Sequence, residues 1–139
     1  MARHDGSCHC GAIATRFESA KSIAELGARS CQCSFCRQHG ASWTSDPEGK
    51  VEIEAKAPIS RYRFGTKTAD FLVCGNCGVV PAVVGEVEGR LLGVVRVDCL
   101  SNAELFLAQA AAMDLDGELL EARLDRRAQR WTPAVLIEN

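Results

Sequence analysis

Seven of the eight cysteines in this 139-residue chain fall into three tight groups: Cys8-His9-Cys10, Cys31-Gln32-Cys33-Ser34-Phe35-Cys36 and Cys74-Gly75-Asn76-Cys77. The eighth, Cys99, stands alone in an apolar stretch. Disulfide frameworks distribute cysteines singly over the loops of small secreted domains, and they make up about 8–10% or more of such chains. Here the share is only about 6%, and no secretory or lipidation motif is read near Met1, so a cytoplasmic, reducing setting is expected. Clustered thiols in that setting point to metal rather than to cross-links.

The remaining composition narrows the fold. A single domain is expected over residues 1–139, because a chain of this length with 47% hydrophobic and 24% charged residues builds one sizeable core and leaves little room for a second. Apolar runs such as 79–85 fall far below the ~18 residues of a membrane span, so no membrane partner is expected. Net charge is −2, and the basic residues are scattered except for Arg123, Arg126, Arg127 and Arg130. A nucleic-acid surface needs a basic stripe, so no nucleic-acid partner is expected. The four arginines alternate with Leu119, Leu120, Leu124, Ala128 and Trp131 and read as a solvated helix face.

Short β-rich or alternating runs cover 12–17, 41–44, 51–54, 59–64, 70–73, 79–84 and 91–97, separated by Gly, Pro, Asp or Lys. No helical pattern alternates with them and no phosphate-binding glycine motif is present, so a mainly β, antiparallel architecture is expected over a doubly wound sheet. Ser101-Asn102-Ala103-Glu104 reads as a capping box opening a helix to about Met113. A second helix is expected from Asp116 to Arg130, stopped by Pro133, so residues 101–139 read as a helical extension packed on the sheet. No internal repeat or linker is found.

Seven clustered thiols suit one closed and one open zinc site, since structural zinc takes four protein ligands and catalytic zinc three. Cys8 and Cys10, two apart on an extended strand, would present both sulfurs to one face with His9 turned away. Cys74-Gly75-Asn76-Cys77-Gly78 has the composition of a metal-binding turn, its glycines free to take positive φ. Together these two pairs make a four-thiolate structural zinc site that staples the chain across more than sixty residues. Cys31, Cys33 and Cys36 wrap one face of a second metal and leave its fourth position vacant, unless His39 or Cys99 closes it. Cys99 reads first as a small buried apolar residue, and Arg37 as a surface charge with a role beside the metal as the alternative.

The three blocks resemble a known family. Gly6-Ser7-Cys8-His9-Cys10-Gly11-Ala12-Ile13, Cys31-Gln32-Cys33-Ser34-Phe35-Cys36-Arg37 and Phe71-Leu72-Val73-Cys74-Gly75-Asn76-Cys77-Gly78 occur here in that order. In order and spacing they resemble the glutathione-dependent formaldehyde-activating (GFA) family, also called the CENP-V/GFA domain family, over about residues 6–100. The resemblance implies an antiparallel β-tent (Mss4-like) zinc fold. It implies a structural zinc on Cys8, Cys10, Cys74 and Cys77, and a catalytic zinc on Cys31, Cys33 and Cys36. It further implies carbon–sulfur lyase chemistry in which glutathione or a related thiol adds to formaldehyde or another small aldehyde. Val79-Val80-Pro81 after the last cysteine pair is more aliphatic than the family pattern leads one to expect. The alternative is a non-catalytic zinc module with both metals structural and a protein partner.

Overall fold

Alternation along the chain sets the central strands. In β2 (Ile13–Ser19), Ile13, Thr15, Phe17 and Ser19 are buried while the residues between them are partly exposed. Its partner β5 (Lys50–Ala55) buries Val51, Ile53 and Ala55, and the antiparallel register sets Phe17 opposite Val51, Thr15 opposite Ile53 and Ile13 opposite Ala55. The inward sets therefore coincide on one face. On the other face Arg16 stands opposite Glu52 and pairs with both Glu52 and Glu54, the kind of cross-strand contact that adds a fraction of a kcal/mol. A slip of one residue would put the apolar set in water.

The computed structural model describes residues 1–113 and 117–139, and eleven strands are found among them. Besides β2 and β5 these are β1 (Ala2–Ser7), β3 (Ala28–Cys31), β4 (Ser42–Thr44), β6 (Ile59–Tyr62), β7 (Asp70–Cys74), β8 (Ala82–Val87), β9 (Arg90–Arg96), β10 (Ala110–Met113) and β11 (Thr132–Glu138). The main path through the sheet is β1-β2-β5-β11-β9-β4-β3-β10, with β8, β7 and β6 continuing from the other edge of β9. One edge of β9 is shared: β11 pairs with Leu92 and Gly93, and β4 with Val95 and Arg96. The expected mainly β class holds, but the sheet is mixed, because β10 runs parallel to β3 and β11 parallel to β5.

Two apolar clusters fill the molecule. One gathers Ile13, Phe17, Val51, Ile53, Leu72 and Phe106 and includes Cys8 and Cys74. The other gathers Trp43, Val83, Leu92, Val94 and Trp131 and includes Cys31, Cys33 and Cys36. Cys8 and Cys74 thus sit in one core, and Cys31, Cys33 and Cys36 in the other.

Residues 101–139 depart from the expected helical extension. The capping box does not form: the helix α3 (Ala103–Leu107) is capped by Asn102, whose side chain makes no capping bond, and it ends well before Met113. Residues 110–113 are instead the strand β10, edge-paired to β3. The helix α4 (Leu120–Arg130) is present, whereas Asp116, placed at its start from sequence, lies outside the described residues. Pro133 does end the helical stretch, yet it lies within β11, where it faces Leu92 of β9. Two further short α-helices, α1 (Ile23–Leu26) and α2 (Ser34–His39), precede α3 and α4 in the chain. No helix among the described residues is long and apolar enough to cross a membrane.

Candidate metal centres and the pocket above them

Two loops of similar build bring the first four thiols together. Cys8 leaves β1 and lies in the turn to β2, where its N–H donates to the Ile13 carbonyl at 2.9 Å. Cys74 ends β7, and its N–H donates in the same five-residue closure to the Val79 carbonyl at 3.0 Å. Positive φ at Gly11 (85°) and Gly78 (82°) turns each loop back. Gly75 has another reason to be glycine: a Cβ there would lie 2.5 Å from the Pro58 carbonyl oxygen. Cys8 and Cys10 are therefore not in one extended strand as expected, but their sulfurs still converge. The Cys8–Cys10 and Cys10–Cys74 sulfur separations are both 3.7 Å, and all four sulfurs of Cys8, Cys10, Cys74 and Cys77 lie within 4.8 Å of one another.

That spacing fits zinc. A Zn–S bond of ~2.3 Å places tetrahedral sulfurs about 3.8 Å apart. Backbone amides supply the donors that thiolates need: Ile13 N–H reaches the Cys8 sulfur at 3.2 Å, and the Asn76 and Cys77 N–H groups reach that of Cys74 at 3.4 and 3.5 Å. The Val79 and Cys10 backbone amides hold the Cys77 thiol down to about 6. Burial pushes the Cys8 thiol up to about 12, a cost that coordination by a dication reverses.

The second set is built around the start of α2. Cys31 ends β3, Cys33 caps the helix with its sulfur accepting the Cys36 N–H at 3.4 Å, and Cys36 follows in the first turn. Gly40, at φ 62°, closes the helix. All three sulfurs lie within 4.8 Å of one another, and the side chains are buried. A hydrogen bond from Cys36 draws the Cys31 thiol down to about 6, and the same contact drives Cys36 up, so the cluster favours one thiolate over two. Among the described residues no His, Cys, Asp or Glu supplies a fourth ligand. The His39 ring instead stacks on Phe35 at 4.3 Å between centroids, and Cys99 lies outside the cluster with its thiol raised by burial. Arg37 is exposed.

A cavity of about 100 Å³ opens over Cys31, Cys33 and Cys36, walled by aromatic side chains including Trp43, Phe71 and Trp131. Its remaining wall corrects the sequence reading for three of the four C-terminal arginines, while Arg130 is exposed as expected. Arg123, Arg126 and Arg127 do not form a solvated face; they line this cavity together with Arg29. The helix is turned so that Leu119 and Leu120 are exposed, while Arg127 is only 6% exposed. Spacing alone gave no sign of this inversion, since Leu124, Ala128 and Trp131 do pack inward beside the arginines.

Residues 3–113 match the family described as glutathione-dependent formaldehyde-activating enzyme. This chain belongs to that family. A crystal structure of a Rhodobacter sphaeroides protein is similar at 31% identity, with a TM-score of 0.57, covering 70% of this chain and 88% of that one. The matched stretch contains all seven clustered cysteines and ends before α4 and β11.

Proposed function

We propose that this member of the family is a zinc-dependent carbon–sulfur lyase that joins glutathione or a related thiol to formaldehyde or another small aldehyde. The observation that carries the reading is the three-thiol cluster with no fourth protein ligand among the described residues, buried beneath a cavity. The other cluster has a full set of four thiols at zinc spacing and suits a structural role. Zinc held by Cys31, Cys33 and Cys36 supplies a Lewis acid with an open position, able to keep a sulfur as thiolate at neutral pH.

The chain's own contribution is position and exclusion of water. Cys33 and Cys36 are fixed by the first turn of α2, and the Trp43 indole reaches Cys36, so the ligand face is set before any substrate arrives. The aromatic wall holds a small carbonyl compound beside the cluster and keeps bulk water off the reacting atoms. The substrate sulfur then forms the C–S bond, the carbonyl oxygen takes up a proton, and the thiol's own proton leaves, so the adduct is the sum of thiol and aldehyde.

Zinc content and turnover test the reading together. The unaltered chain is expected to hold two zinc per chain, and the cobalt-substituted protein to change its spectrum when glutathione is added. Cys33→Ser is expected to hold one zinc, stay folded and lose turnover by at least a hundredfold. A spectrum indifferent to thiols, or a Cys33→Ser chain with undiminished turnover, would refute the lyase reading.

A further inference from the structure

The helix α2 is only six residues long, too short to keep its own shape in water, so contacts with the rest of the chain must fix it. Its C-terminal end is held: Gly40 closes it, and Arg96 Nη2 donates to the His39 carbonyl at 2.7 Å. The opposite end carries the metal-binding pair Cys33 and Cys36. Of the two residues between them, Ser34 is exposed and Phe35 is half-buried, so Phe35 is the side chain there that grips the rest of the molecule.

The grip is aromatic. The Phe35 ring lies 5.5 Å from that of Tyr62 and 5.6 Å from that of Phe64, at 24° and 22° between planes, and 4.5 Å from that of Phe71 at 59°. His39, four residues on along α2, stacks on it at 4.3 Å, and Phe71 in turn meets Trp43 edge-on at 6.1 Å. Five of the chain's eight Phe, Tyr and Trp residues thus form one connected set around the residue between two ligands. Tyr62 and Phe71 are cross-strand partners of β6 and β7, so α2 is clasped to that hairpin. Phe64, Phe71 and Trp43 also line the cavity, while Phe35 is not among its described lining residues. Tilted and offset aromatic pairs at these separations are favourable beyond their burial. A set of three ligands holds a metal less tightly than a set of four, so its affinity depends more on ligands that are in place before the ion arrives.

We infer that Phe35 is a positioning residue: its ring, clasped by Tyr62, Phe64 and Phe71, sets Cys33 and Cys36 for the metal and thereby fixes where the open position over Cys31, Cys33 and Cys36 faces. The inference rests on the proposed function for a metal on these three thiols, but not for the reaction carried out there.

Cobalt affinity, cobalt absorption and the thermal midpoint are measured on the full chain and its variants. Phe35→Leu keeps an apolar side chain and loses the ring, Phe35→Ala loses both, and Phe35→Tyr keeps the ring. Against a competing chelator, Phe35→Leu is expected to hold the second cobalt equivalent at least tenfold more weakly than the unaltered chain, a difference of about 1.4 kcal/mol. Phe35→Ala is expected to hold it more weakly still, and Phe35→Tyr to stay within threefold of the unaltered chain. The first equivalent, on Cys8, Cys10, Cys74 and Cys77, is expected to stay within twofold throughout. The absorption of the second is expected to change in Phe35→Leu and to be restored in Phe35→Tyr.

A ring that only supports the fold gives another pattern, either a lowered thermal midpoint with both equivalents held as before or both equivalents weakened together. Either result overturns the clasp, as does a Phe35→Leu chain that matches the unaltered one in affinity and absorption. Tyr62→Leu, altered on the exposed side of the clasp, serves if the Phe35 variants fail to fold; it is expected to weaken the second equivalent at least threefold, and an unchanged affinity overturns the clasp. A cobalt spectrum indifferent to thiols in every chain, with the second equivalent still weakened in Phe35→Leu, sinks the lyase reading alone. A thiol-responsive spectrum with equal affinity in all chains sinks the clasp alone, and a single cobalt equivalent in the unaltered chain sinks both.

Discussion

His4 is an inward residue of β1, held edge-on to Phe106 at 5.2 Å between ring centroids and tilted against Phe17 at 5.9 Å. The Asn102 side-chain nitrogen lies 3.2 Å from its Nδ1, and Nε2 is buried with no hydrogen-bond partner among the described residues. Burial lowers the pKa of His4, outweighing the opposing charge of Asp5. Between the lowered folded value and the ordinary value near ~6.5, the unfolded chain binds more protons, so stability rises with pH in that window. The His4 contribution is therefore full above about pH 6.5 and is lost as pH falls through the folded value. Urea midpoints measured from pH 7.5 down to 5 are expected to decline more steeply for the unaltered chain than for His4→Gln; parallel curves would remove His4 from the account. Gly75 gives a second residue-level outcome. An alanine there drives its Cβ against the Pro58 carbonyl, which also accepts the Gly75 N–H at 2.8 Å, and neither backbone has room to give. Gly75→Ala is expected to cost about 1–3 kcal/mol by urea denaturation and to weaken zinc retention at Cys74 and Cys77, whose loop it displaces.

At the scale of elements, β11 joins β5 in parallel on one edge and reaches Leu92 and Gly93 of β9 on the other. Ending the chain after Trp131 removes that link and exposes the edges of β5 and β9, buried in Val51, Ile53, Leu92 and Val94. Such a chain is expected to lose cooperative unfolding and to aggregate, read by calorimetry and by size-exclusion chromatography. Sequence did not announce β11, because Pro133 is a stop signal in helical terms and its outward Val135 and Ile137 blur the alternation. The same holds for β10, whose Ala110, Ala111 and Ala112 have the best helix propensity and become a strand only because β3 offers a free edge. β1, with its Arg, His and Asp, had no apolar pattern to read and is fixed by its pairing with β2. By contrast β2, β4, β5, β6, β7, β8 and β9 were legible from local alternation or short β-rich runs. The site divides the same way. Both cysteine sets were legible because chelating residues lie close in sequence, whereas the arginines lining the cavity were not, because their place depends on how α4 rotates against a cavity formed by distant strands.

Over the whole molecule, the two thiol sets differ in what they hold together. Cys31, Cys33 and Cys36 come from one stretch of six residues, so a metal there closes only a short loop and changes little in the unfolded chain's freedom. Cys10 and Cys74, 64 residues apart, tie the β1–β2 turn to the end of β7, and Cys8 and Cys74 are part of the core around Ile13, Phe17 and Ile53. Structural zinc in small peptides binds with an apparent ~10–16 kcal/mol at neutral pH, as much as the ~5–15 kcal/mol by which whole domains are stable. A chelator should therefore act in two stages. The three-thiol metal, short of one ligand and open to the cavity, leaves first, with a loss of thiol-dependent cobalt spectrum and a change of only a few degrees in the thermal midpoint. The four-thiol metal leaves later, and its departure brings down the fold, with the thermal transition lost or lowered by more than about 15 °C, given that about 1 kcal/mol moves the midpoint of a domain this size by some 2–8 °C. Cys74→Ser is expected to go directly to the second outcome, holding one zinc fewer and little soluble protein. Release of both metals in one step, with the fold lost at the first equivalent, would mean that the two cores do not separate the two sites as their geometry requires.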